Sequence, residues 1–215
     1  QGPYPPYIHR PVHRPIHRLF LESEPRIRLI LILNYSKYML LMVCGLPGSG
    51  KTTIAQALAR RLKAPHISSD ILRKEMLAKP DYSEDEKRNV YRAMASRALE
   101  LFRGGEETVV LDATYYKKEY VEMAKKAAQR AGSMSLIIEC TISDSEAKKR
   151  IGSRAKGPSD ADFGVYLKLR GRFEPIEDEH LTIDCSRPLG ENIERIIAYL
   201  EEMEKPDLQD HRDAG

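Results

Sequence analysis

The sequence predicts an α/β fold: three layers, α/β/α, around one five-stranded parallel sheet. Three observations predict it. Five short runs read as buried strands, too short for helices. Segments of helical periodicity separate them, so the connections are crossovers and the strands run parallel. Between the first strand and the first helix lies Gly45-Leu46-Pro47-Gly48-Ser49-Gly50-Lys51-Thr52, a match to G-x-x-x-x-G-K-[ST] in the strand–loop–helix setting the motif requires.

Taken in order, residues 39–44 are an apolar first strand. Residues 53–62 follow as a helix, with Ile54, Ala57, Leu58 and Leu62 at helical spacing. His66-Ile67-Ser68 is a short second strand after Pro65. A helix begins at Asp70 and ends before Pro80. Ser83-Glu84-Asp85-Glu86 has capping-box spacing and opens a helix running to about Arg103, closed by Gly104-Gly105. Strands at 108–111, 136–140 and 180–184 alternate with helices at 117–131, 145–154 and 162–172. A last helix covers 191–204. The expected organisation is an extension, 1–38, a phosphate-loop domain, 39–205, and a polar tail, 206–215.

Composition excludes several classes. With 215 residues, 41% hydrophobic and 31% charged, the chain has enough apolar residues for one α/β core. No run approaches a membrane span, and no membrane partner is expected. A net charge of +3 does not by itself argue for nucleic acid. Cys44, Cys140 and Cys185 are far apart and lack zinc spacing, so no metal cluster is expected. They read as buried free thiols, implying a reducing, cytoplasmic setting. In the extension, His-Arg-Pro recurs at His9-Arg10-Pro11 and His13-Arg14-Pro15, which blocks helix and favours extended chain. Residues 26–33 could be an extra strand. The arm reads either as a basic tether or as a segment without a catalytic part, with Met39 opening the working domain; the second reading is preferred.

The chemistry starts in the glycine loop. Gly45, Gly48 and Gly50 let backbone N–H groups of the loop, with Ser49, turn inward around phosphate oxygens, and the helix N-terminus adds partial positive charge. Lys51 reaches the β- and γ-phosphates, the Thr52 hydroxyl ligates Mg²⁺, and Thr53 completes the loop. Asp70 and Arg73 are one helical turn apart and share a face. A carboxylate there can take the proton of an attacking alcohol, and the arginine can hold the acceptor. Asp112 ends a hydrophobic strand. It serves either Mg²⁺ through water or, with Thr114, the acceptor. Arg150 and Arg154 lie four apart on one helical face, suited to phosphoryl oxygens, with a flap ending at Gly157-Pro158 to close over them. Arg170 and Arg172 are expected on the surface. Arg187-Pro188-Leu189, after the last strand, borders the expected base site. No guanine-reading Asn-Lys-x-Asp occurs, so ATP is the expected nucleotide, with Mg²⁺.

With these residues placed, the chain resembles the P-loop kinases grouped with polynucleotide 5′-kinases and zeta-toxin-like kinases, AAA-type ATP-binding kinase domains, over residues 39–200. Asp70-Ile71-Leu72-Arg73 looks like the Asp-x-x-Arg of polynucleotide kinases, which implies a general base and an acceptor-site arginine. Asp112-Ala113-Thr114 is similar to their Asp-Thr-Asn, implying a substrate-side Asp112. Residues 150–154 look like their lid, with two arginines on the ATP phosphates. Ser69 stands where those kinases have arginine, and Thr114 where they have asparagine. Ser68-Ser69-Asp70 through Arg73-Lys74 is also similar to the ATP-binding halves of bacterial fusions with aminoglycoside-phosphotransferase-like domains. The implied fold is a P-loop NTPase, nucleoside-kinase-like with a helical lid. The implied activity is transfer of the γ-phosphate of ATP to a hydroxyl, foremost the 5′ end of DNA or RNA. A small metabolite or nucleotide sugar is the alternative acceptor, and a non-catalytic nucleotide switch the alternative class.

Overall fold

The structure is a computed structural model, and it describes residues 38–153 and 159–204. The extension apart from Tyr38, the strand considered at 26–33, the tail, and Arg154 with Gly157-Pro158 lie outside the described residues.

Five strands form one parallel sheet: β1 (Met39–Cys44), β2 (His66–Ser68), β3 (Thr108–Asp112), β4 (Met134–Thr141) and β5 (His180–Asp184). Their spatial order is β2-β3-β1-β4-β5. The helices are α1 (Lys51–Leu62), α2 (Ser69–Met76), α3 (Glu84–Arg103), α4 (Lys118–Arg130), α5 (Asp144–Ser153), α6 (Phe163–Arg170) and α7 (Leu189–Glu204). Strand β4 begins two residues before the sequence expectation, because Met134 and Ser135 pair with Met39 and Leu40.

The side-chain alternation of β1 makes the layers. Leu40, Met42 and Cys44 pack on one face with Val90, Met94, Ala98 and Phe102 of α3 and Val121, Ala124 and Ala128 of α4. Leu41 and Val43 pack on the other with Ile54 and Leu58 of α1 and Ile196, Ile197 and Leu200 of α7. Each large aliphatic side chain buried in this way contributes about 1.5–3 kcal/mol. Cys44, Cys140 and Cys185 are buried free thiols, as expected.

Local signals set the helix ends nearest the site. Ser83 Oγ accepts from Glu86 N at 3.2 Å at the start of α3. The reciprocal half of the capping box is displaced: Glu86 Oε2 accepts from Asp81 N at 2.6 Å and Tyr82 N at 3.0 Å, two residues and one residue before the cap. The preceding turn is thereby tied to the helix. Asp162 caps α6 by accepting from Val165 N at 2.7 Å.

The strand order locates the crevice. Strand β1 is central, and the chain moves to one side of it for β2 and β3 and to the other for β4 and β5. The connections leaving the carboxyl ends therefore diverge at β1, opening a cleft where ligands bind in such sheets. The glycine loop is the segment leaving β1.

Candidate active site

The loop conformation demands its glycines. Gly45 (φ +141°) lies so close to β4 that a Cβ would stand 2.5 Å from the Cys140 carbonyl oxygen. At Gly48 (φ +80°) a Cβ would meet Ile151 Cγ1 at 3.0 Å and the Ala147 carbonyl at 3.1 Å. Backbone thus approaches backbone with no room for side chains, and the loop wraps the N-terminus of α1. Lys51 and Ser49 are buried, and Ser49 Oγ has no protein partner. Thr52 is half-buried and Thr53 exposed. This cradle fits nucleotide phosphates: a glycine-rich backbone, a buried cation and a helix N-terminus coincide.

Arg150 lies over the loop. Its guanidinium donates to the Cys185 carbonyl at 2.9 Å and stands 3.4 Å from where a Gly50 Cβ would be. Glu146 pairs with it at 3.3 Å. The residue after β5, helix α5 and the phosphate loop therefore meet at one point. Arg187, expected near the base, is exposed after β5.

The Asp112 carboxylate is buried at the carboxyl end of β3, and neither oxygen has a hydrogen-bond partner in the protein. His66 Nε2 stands 3.5 Å from its Oδ2. A buried carboxylate without donors is costly unless a cation or water completes it. Like the Thr52 hydroxyl at the start of α1, it is a hard oxygen donor of the type Mg²⁺ takes. Among the described residues no group of three or more His, Cys, Asp or Glu side chains forms a metal cage. Mg²⁺ does not need one, since it is usually held by one or two protein oxygens plus substrate phosphates.

Beyond the loop lies a cavity of about 360 Å³. Lys51 and Pro47 line its phosphate end, and Asp70, Arg73 and Thr114 line its wall. The structure thus brings together the loop lysine, the Asp-x-x-Arg pair and Thr114. Asp112 is not in that wall, although Thr114, two residues later, is.

Arg73 Nη1 donates to Asp70 Oδ1 at 3.3 Å. Its Nε is 2.8 Å from Glu86 Oε1, both side chains being under a tenth exposed. The N–H does not point along that contact, so the pairing is ionic rather than a directed hydrogen bond. The Arg73 guanidinium also stacks 4.8 Å from the Tyr82 ring centre. Held on three sides, Arg73 keeps Asp70 in place, and Asp70, about a quarter exposed, faces the cavity.

Sequence reasoning missed Glu86, Tyr82, Lys87 and Tyr116. The sequence pattern marks Glu86 only as a cap, and nothing in a helix pattern distinguishes a solvated lysine from one facing a cleft. Arg172 was expected on the surface. It is exposed, yet it lines the cavity, whereas Arg170 is engaged by Asp144.

Residues 40–176 match the family described as AAA domain. An uncharacterized protein of Mycobacterium tuberculosis is 28% identical over 168 residues, 73% of this chain and 33% of that protein. The chain thus spans about a third of the length of the mycobacterial relatives it matches. An adenylate kinase of Helicobacter pylori is 25% identical over 150 residues, 64% of this chain and 78% of that enzyme. Among solved structures, the Mycobacterium tuberculosis APS kinase CysC with AMPPNP and APS superposes with a TM-score of 0.61 at 20% identity, covering 76% of this chain and 97% of that one. The fold is therefore that of P-loop kinases. Among the described residues no helix is long and apolar enough to cross a membrane. The match over residues 40–176 carries the assignment: the chain belongs to the AAA domain family.

Proposed function

We propose that the chain is an ATP-dependent kinase that passes the γ-phosphoryl group to a hydroxyl of a small molecule seated in the 360 Å³ cavity. The observation that carries this reading is that Lys51, Asp70 and Arg73 share one cavity. A nucleotide switch has no use for a carboxylate–arginine pair facing the phosphate end. The volume lies at the small end of ligand pockets, which span about 300–1,000 Å³. This favours a metabolite over the polynucleotide end that the motif resemblance implied. The names of the relatives, adenylate kinase and adenylyl-sulfate kinase, point the same way.

In this reading the loop N–H groups and Lys51 hold the β- and γ-phosphates, and Arg150 lies against the loop to stabilise transferring oxygens. Thr52 and Asp112 are the residues that would hold Mg²⁺. Bound Mg²⁺ supplies positive charge on the phosphate oxygens. Asp70 accepts the acceptor's hydroxyl proton as its oxygen bonds to the γ-phosphorus. The bond to the β–γ bridging oxygen breaks and ADP leaves. Arg73 orients Asp70 and binds the acceptor.

The test is transfer of labelled γ-phosphate from ATP–Mg²⁺ to a panel of small alcohols and to 5′-hydroxyl oligonucleotides. Label on a small alcohol, reduced about 10²-fold or more by Asp70→Asn and abolished by Lys51→Ala, supports the proposal. Label confined to oligonucleotides, weakening steeply with salt, would move the acceptor to a polynucleotide end. ATP binding without transfer to any alcohol would leave a nucleotide switch.

A further inference from the structure

The cavity wall carries more positive charge than the nucleotide and Asp70 use. Lys51 serves the nucleotide phosphates, and Arg73 is matched by Asp70 and Glu86. Asp160 is met by Lys74 at 3.0 Å and by the Tyr82 hydroxyl at 2.9 Å. Lys87, Lys168 and Arg172 remain on the wall.

Behind two of them stands a single carboxylate. Glu84 Oε1 is 3.1 Å from Lys87 Nζ and 3.5 Å from Arg172 Nη1, and its Oε2 accepts from Lys117 Nζ at 2.5 Å. The Tyr116 hydroxyl donates to the same carboxylate at 3.2 Å. The hydrogen bond from Lys117, ahead of the opposing effect of burial, holds the Glu84 carboxyl down to about 2, so it counts as one full negative charge. Three cations therefore share one anion. Glu119 reaches Lys117 from its other side and Arg88 at 3.4 Å, and Arg88 is also met by Asp85 at 3.6 Å, so over the wider cluster four cations meet three anions. A surplus positive charge faces the cavity from Lys87 and Arg172, with the exposed Lys168 added from α6. A neutral acceptor would leave these cations crowded around one carboxylate, whereas a second anion between them would complete the cluster.

The geometry points to an anion subsite for the acceptor: the cavity takes a hydroxyl compound that already bears a phosphate group, gripped by Lys87, Arg172 and Lys168 while its hydroxyl faces Asp70. This deepens the kinase reading and rests on it for the role of the cavity, but the subsite can be tested without turnover.

The probe is inorganic phosphate, titrated into the full chain already saturated with a non-hydrolysable ATP analogue and Mg²⁺, so that the glycine loop is filled. Phosphate is expected to bind with a dissociation constant on the order of millimolar, and Lys87→Gln/Arg172→Gln to weaken it about tenfold. Lys168→Gln, a change at an exposed position, weakens it about threefold and covers the case in which the double variant does not fold. Lys126→Gln, exposed on α4 away from the cavity, removes the same charge and is expected to shift the isotherm less than any of these. Equal isotherms in the wild type and the Lys87, Arg172 and Lys168 variants, or no binding to the wild type, overturn the subsite.

A second arm compares glycerol with glycerol 3-phosphate, ribose with ribose 5-phosphate and glucose with glucose 6-phosphate as acceptors. Preference for a phosphorylated member, with the double variant raising its KM more than it lowers kcat, supports the inference. Preference for the parent alcohols overturns it. Phosphate binding lost in the variants, without transfer to any acceptor, would sink the kinase reading and sustain the subsite.

Discussion

Arg73→Ala tests the site at the residue where stability and chemistry meet. Its guanidinium touches Glu86, Asp70 and Tyr82, and these contacts are unequal. The Arg73 and Glu86 side chains are 9% and 7% exposed, so deleting the arginine strands a carboxylate away from water. Breaking a buried pair in this way costs about 3–5 kcal/mol. The lower end applies, because Glu86 Oε2 keeps the Asp81 and Tyr82 N–H groups. Asp70 is 26% exposed and is rehydrated when its partner goes, adding less than about 1 kcal/mol. Loss of the stacked contact with Tyr82 adds about 0.5–1 kcal/mol. The expected cost is therefore about 3.5–5 kcal/mol, or roughly 7–20 °C in Tm for a chain of this size. Glu86→Gln removes the stranded charge, so the double variant should be about 1–2 kcal/mol more stable than the sum of the single changes predicts. Urea unfolding of the four proteins measures the cycle, and acceptor KM is read in parallel and expected to rise in Arg73→Ala. A single-variant cost below about 1 kcal/mol, or strict additivity, would refute the claim that Glu86 depends on Arg73.

Four further predictions concern other positions. Gly45→Ala places a Cβ 2.5 Å from the Cys140 carbonyl and is expected to cost at least about 1–3 kcal/mol and to weaken nucleotide binding. Gly152→Ala, inside α5 with nothing within 4 Å of the new atom, should instead stabilise by about 0.5–1 kcal/mol in thermal melts. Asp112→Asn separates its two candidate roles: the Mg²⁺ concentration for half-maximal turnover should rise while acceptor KM moves little, and the reverse pattern would place Asp112 on the acceptor. Hydrogen bonding to Glu139, opposed by burial, raises His180 above its ordinary value of 6.5. A raised folded value means the contribution is fully present below that ordinary value and is lost as pH rises through the folded one. Unfolding free energy measured from pH 6 upward should show this decline. A decline of the same size in Glu139→Gln would reject the pairing as its cause.

The glycine loop was legible in the sequence because its chemistry is contiguous. Phosphate binding there depends on consecutive backbone groups and on one lysine at a set step, so spacing alone locates it. The same holds for Asp70 and Arg73, one helical turn apart, and for the Ser83 cap of α3. The apolar runs that became β1, β3 and β4 were legible for a related reason: a strand buried on both faces has no polar alternation to hide it, whereas the edge strand β5 showed the alternation of a half-buried one. What the sequence could not show is which charged side chains face a cleft and which face water, since both surfaces accept the same residues. The sheet order and the packing of α2, α3 and α6 decided it. They set Glu86 beneath Arg73, brought Arg172 to Glu84 across 88 residues, and put Thr114 on the cavity wall while burying Asp112 behind it. These placements depend on where distant helices meet, and that is a property of the packed core rather than of any local run of residues.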